Sequence, residues 1–60
     1  MQRLTDERVS KGFTKRELAK LIGIKEARYG HYENGKRKLP VEIAKRIGEV
    51  LEIDWKDLYD

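Results

Sequence analysis

The sequence predicts an all-α fold of five helical segments, on three observations. Apolar residues recur at spacings of three and four, start and stop signals bracket each such stretch, and no segment alternates apolar with polar residues as a half-buried strand does. With 60 residues and no cysteine, the chain is expected to form a single domain over residues 1–60, stabilised by packing alone. No stretch approaches the ~20 apolar residues of a membrane span, and the start lacks the apolar run of a signal peptide. A soluble, cytoplasmic protein with no membrane partner is expected.

The first segment, residues 2 to 11, carries Leu4, Arg8 and Val9 on one face and ends at Gly12. Phe13 then leads into Thr14-Lys15-Arg16-Glu17, a capping box: the threonine hydroxyl accepts from the Glu17 amide, and the Glu17 carboxylate accepts from the Thr14 amide. In the second helix Leu18, Leu21 and Ile22 form the apolar face, Ala19 leaves room for a close neighbour, and Gly23 supplies a left-handed stop. The third runs from about Lys25 to Glu33, with Tyr29 and Tyr32 on its buried side and Asn34-Gly35 as a left-handed cap. Glu26, Ala27, Arg28, Gly30 and His31 lie elsewhere on its surface. Pro40 suits the first turn of a fourth helix, where Ile43, Ala44, Ile47, Val50 and Leu51 make a stripe ending near Glu52. Asp54 is an N-cap for a last helical turn through Trp55, Leu58 and Tyr59.

The net charge of +3 conceals an asymmetry. Between Arg8 and Lys38 ten lysines and arginines face three acids, whereas from Leu39 to the end three bases face six acids. One basic face points to a polyanionic partner; a solvated basic surface is the plainer alternative. Two helix starts also break a local rule. Cations in a first turn oppose the helix dipole, yet Lys15 and Arg16 occupy the first turn of the second helix, and Lys25 stands where a Ser or Thr cap belongs. Both make sense at a phosphate, since helix N-termini with basic side chains bind anions. Glu33, in a last turn, needs a cation. Arg8 interrupts the apolar face of the first helix and is its natural partner in a structural ion pair; two solvated charges are the alternative. His31 is the single histidine, so a metal site has almost nothing to build on and a histidine-based catalytic constellation lacks a nucleophile close by. No cofactor and no enzymatic activity are expected.

Leu18-Ala19, Gly23-Ile24 and Glu33-Asn34-Gly35-Lys36, in this order and spacing, resemble the phage repressor and Cro type of helix-turn-helix domain, the XRE family, over nearly the whole chain. The resemblance implies a compact five-helix, repressor-like fold with the helix-turn-helix at helices 2 and 3. It implies a bacterial or phage-encoded, nucleoid-associated transcriptional regulator, here expected to be a repressor, that binds a palindromic double-stranded DNA operator as a homodimer. On the family's pattern Glu26, Ala27 and His31 stand where base edges are read, with Arg28 beside them. Glu26 suits cytosine N4, Ala27 a thymine methyl, and Arg28 either guanine or a phosphate. Thr14 and Lys15 stand where the DNA backbone is touched, and Lys36, Arg37 and Lys38 fill the loop that commonly meets phosphate; Arg16 and Lys25 join them through the charge argument above. Trp55, Leu58 and Tyr59 either cap the core or, exposed, form a dimer contact. The sequence departs from the pattern at Lys25, at Tyr29, which replaces a smaller aliphatic residue, and at Glu52, where a glycine often ends the fourth helix. The alternative function is a protein-interaction module on the same scaffold, an antitoxin or accessory factor gripping a protein partner through the acidic C-terminal half.

Overall fold

Four α-helices and a closing 3₁₀ turn make up the computed structural model, which describes residues 2–59. The helices are α1 (Gln2–Ser10), α2 (Lys15–Ile22), α3 (Glu26–Glu33) and α4 (Val41–Leu51), and the 3₁₀ turn is Trp55–Leu58. No strand occurs among the described residues. The expected fifth helix is thus only this turn. Its hydrogen bonds run i to i+3, from the Asp57 amide to the Asp54 carbonyl at 2.9 Å and from the Tyr59 amide to the Lys56 carbonyl at 3.1 Å; four residues are too few to propagate α geometry.

Every element sends its apolar side to one core. Leu4 comes from α1, Leu18, Ala19 and Ile22 from α2, Tyr29 and Tyr32 from α3, Ile43, Ala44, Ile47 and Leu51 from α4, and Leu58 from the 3₁₀ turn. Phe13, just before the α2 cap, packs against this cluster and fixes where α2 starts. Two residues expected on apolar faces are not there: Val9 is 59% exposed and Leu21 58%. In α2 the buried arc is set by packing against both α3 and α4, which centres it between Leu18 and Ala19 and rotates Leu21 outward. In α1 it is centred on Leu4 and Arg8, one turn apart, which leaves Val9 to solvent.

The link between α2 and α3 is short because Gly23 takes φ +82°. Its amide donates to the Lys20 carbonyl at 3.2 Å and the Ile24 amide to the Ala19 carbonyl at 3.0 Å, the paired bonds of a Schellman stop. The end of α4 uses the same device without glycine: Glu52 sits at φ 57°, and the Ile53 amide donates to the Gly48 carbonyl at 3.0 Å. Gly48 is required for another reason. A Cβ there would stand 2.9 Å from the Ile53 carbonyl oxygen and 3.0 Å from Trp55 Cβ, so its absence lets the 3₁₀ turn fold back onto α4. Pro40 is the residue before α4 rather than within its first turn, at φ −66°, and the helix begins at Val41.

Candidate nucleic-acid interface

The start of α2 is closed by its own side chains. The Glu17 amide donates to Thr14 Oγ1 at 3.0 Å and the Thr14 amide donates to Glu17 Oε1 at 2.8 Å. The Thr14 amide, reinforced by the Thr14 hydroxyl, holds the Glu17 carboxyl below its ordinary pKa and keeps it ionised. The amides of Lys15 and Arg16 lie ahead of the first intrahelical bond, and both side chains are exposed. Thr14, Lys15 and Arg16 therefore form an exposed end with two side-chain cations and two open donors.

The start of α3 is built differently. Lys25 holds the extended N-cap conformation, φ −72° and ψ 147°, but its side chain makes no capping hydrogen bond. A lysine has no acceptor to offer, so the first-turn amides of Glu26, Ala27 and Arg28 point outward without a cap. Lys25, Glu26, Ala27 and Arg28 are all exposed, and His31 is half-buried.

What fixes α3 is its other side. Tyr29 is fully buried, Tyr32 is 3% exposed and Glu33 6%. With about 100° between successive residues, these three span one flank of the helix, and Ala27 and His31 lie on the opposite, outward line. Arg8 Nη2 donates to Glu33 Oε1 at 3.0 Å, Nε contacts both carboxylate oxygens at 3.2 and 3.3 Å, and Nη1 donates to the Phe13 carbonyl at 2.7 Å. Arg8 and Glu33 thus form a buried, forked ion pair between α1 and α3. Burial opposes charge on Glu33, but hydrogen bonds from Thr5 and Arg8 and the attraction of Arg8 outweigh it, so its pKa lies below the ordinary carboxylate value. Burial likewise opposes charge on Arg8, and the bonds and attraction of Glu33 overcome it and raise its pKa. The buried Tyr29 hydroxyl sits beside the pair with no hydrogen bond of good geometry. Its desolvation, aided by the Glu33 charge, pushes the phenol pKa up.

The loop after α3 is ordered by its own contacts. The Lys36 amide donates to Asn34 Oδ1 at 2.9 Å, and the Arg37 amide donates to the His31 carbonyl at 3.1 Å, so the loop doubles back along the last turn of α3. Lys36, Arg37 and Lys38 are exposed, and none forms an ion pair among the described residues.

At the C-terminal end the three residues considered for a dimer contact separate. Leu58 is 2% exposed and belongs to the core, the first of the two alternatives the sequence left open, so it has no surface to offer a second copy. Tyr59 is 40% exposed, with its hydroxyl donating to the Leu39 carbonyl at 2.6 Å. Trp55 is half-buried, edge-on to Tyr59 at 6.2 Å, with Lys45 over its ring at 5.5 Å.

The arrangement matches a known family. The profile of the family described as Helix-turn-helix matches residues 4–58. The chain belongs to the helix-turn-helix family. It is similar to the protein of Bacillus subtilis (strain 168) named "Uncharacterized HTH-type transcriptional regulator YqaF", 44% identical over 57 residues that cover 95% of this chain and 75% of that protein. No solved structure matches the chain. Within the motif, α2, the Gly23 turn and α3 are the two helices and their joint.

One positioning residue escapes sequence reasoning. Arg46 of α4 donates through Nη1 to the Ile22 carbonyl at 3.2 Å and through Nη2 to Glu42 at 2.9 Å, so it caps the end of α2 beside the motif's turn. The contact is 24 residues apart in the chain. No local pattern announces it.

Proposed function

We propose that this chain is a sequence-specific, double-stranded DNA-binding transcriptional regulator that lays α3 in the major groove. The observation that carries the reading is the two-sidedness of α3. Its inner flank is fixed by two buried tyrosines and the Arg8–Glu33 pair, while its start is uncapped, Glu26 and Ala27 are exposed and His31 is half-buried. Glu26, Ala27 and His31 read base edges, a carboxylate for cytosine N4, a methyl for thymine, and an imidazole able to donate or accept. Thr14, Lys15, Arg16, Lys25 and the loop cations Lys36, Arg37 and Lys38 grip phosphates, supplying affinity without sequence information. The regulator acts as a repressor and a homodimer, with Trp55 and Tyr59 at the contact between copies, on two half-sites about one helical turn, ~34 Å, apart.

The test is selection of bound sites from a pool of random duplexes. A recovered palindrome with half-sites one turn apart is the expected result. A pool with no enriched motif would sink this reading in favour of a protein-interaction module.

A further inference from the structure

We propose that Arg28 is a phosphate clamp and that the Tyr32 hydroxyl is the post that aims it. Resting on the DNA-binding reading, this gives Arg28 a role apart from the base readers. Arg28 Nε donates to the Tyr32 hydroxyl oxygen at 2.7 Å, and Cζ lies 5.7 Å from the centre of the Tyr32 ring. Tyr32 is itself 3% exposed, so the guanidinium is tied to a ring that the core holds still. No carboxylate among the described residues pairs with Arg28. With Nε occupied, both Nη groups remain as a planar fork suited to two oxygens of one phosphate.

The direction in which Arg28 is held favours phosphate over guanine. The hydrogen bond to Tyr32, one turn on, draws the guanidinium toward the end of α3, the end from which the loop carrying Lys36 and Arg37 doubles back onto His31. Arg28 is thereby turned toward the loop cations already assigned to phosphate and away from the start of α3, where Glu26 and Ala27 stand.

The experiment measures binding of the full chain across a salt series, using a 24-base-pair duplex of mixed sequence (about two turns) and the duplex recovered by selection. Arg28→Ala weakens both about tenfold and lowers the slope of log affinity against log salt by about 0.9, the value for one lost phosphate contact. Tyr32→Phe weakens both roughly three- to tenfold, the cost of ordering a freed arginine. Arg28→Ala with Tyr32→Phe binds no more weakly than Arg28→Ala alone, because the hydroxyl acts through Arg28. An unchanged slope with altered preference at one base position in Arg28→Ala would overturn the clamp and make Arg28 a base reader. Additive losses would assign the Tyr32 effect to packing and overturn the post. A wild-type chain that binds neither duplex overturns the DNA-binding reading and the clamp together, whereas an unchanged slope in Arg28→Ala overturns the clamp alone.

Discussion

The two helices of the motif begin in opposite ways. α2 starts with a closed capping box, Thr14 and Glu17 satisfying each other's amides at 2.8 and 3.0 Å. α3 starts on Lys25, which caps nothing. The two starts lie within 12 residues of chain, Thr14 to Lys25. The capped start contributes stability and leaves only the Lys15 and Arg16 amides open, whereas the uncapped one leaves those of Glu26, Ala27 and Arg28 outward where the proposed partner lies. Because nothing caps the start of α3, its orientation depends on its inner flank, on Tyr29, Tyr32 and the Arg8–Glu33 pair.

The largest expected effect follows from that dependence. Arg8→Met strands the buried Glu33 carboxylate and removes the donor to the Phe13 carbonyl, costing about 3–5 kcal/mol in thermal or denaturant unfolding. A second change, Glu33→Leu, recovers most of the loss in the double variant, since a well-packed apolar pair can replace a buried ion pair at little cost. If Arg8→Met melts as the wild type does, α3 is held by its tyrosines alone.

Acid unfolding probes the same anchor. The folded pKa of Glu33 lies below its ordinary 4.5, so its contribution is fully present above that value and is lost as pH falls through the folded pKa. Stability followed by circular dichroism therefore falls below about pH 4.5, the ordinary carboxylate value, and Glu33→Gln flattens the decline. An equally steep acid limb in Glu33→Gln would place the sensitivity elsewhere.

Exchanging the caps gives the smallest effects and the sharpest contrast between the two starts. Thr14→Ala opens the capped start and costs about 1 kcal/mol of stability, whereas Lys25→Ser closes the open one and gains up to about 1 kcal/mol. In the same variant DNA affinity falls, because a cation is lost where a phosphate is expected. A gain in both stability and affinity would contradict the assignment of Lys25 to the interface.

Much of this contrast was legible in the sequence, because it is local. The capping box, Gly23, the uncapped Lys25 and the inward Tyr29 and Tyr32 are all written within one or two turns of chain, where spacing and side-chain chemistry decide the outcome. The exposed Val9 and Leu21 were misplaced because each sits at the margin of an apolar arc, and the packing partners rather than the helix period set where that arc is centred. Arg46 on the Ile22 carbonyl and the hydroxyl of Tyr32 under Arg28 were invisible for related reasons: the first is a long-range contact, and the second depends on which rotamer a long side chain adopts. Gly48 offered a faint signal, a glycine inside an apolar stripe, but only the 2.9 Å approach of the Ile53 carbonyl explains it.

The central claim is that Glu26, Ala27 and His31 of α3 read bases while the cations around them hold the backbone. Site selection repeated with Glu26→Ala and with Lys15→Ala tests it most directly. Glu26→Ala should change the preferred base at one position and leave the rest of the motif intact. Lys15→Ala should return the wild-type motif, bind every sequence more weakly, and lower the salt slope by about 0.9. Equal losses on every sequence in both variants would contradict the division of roles between reader and grip.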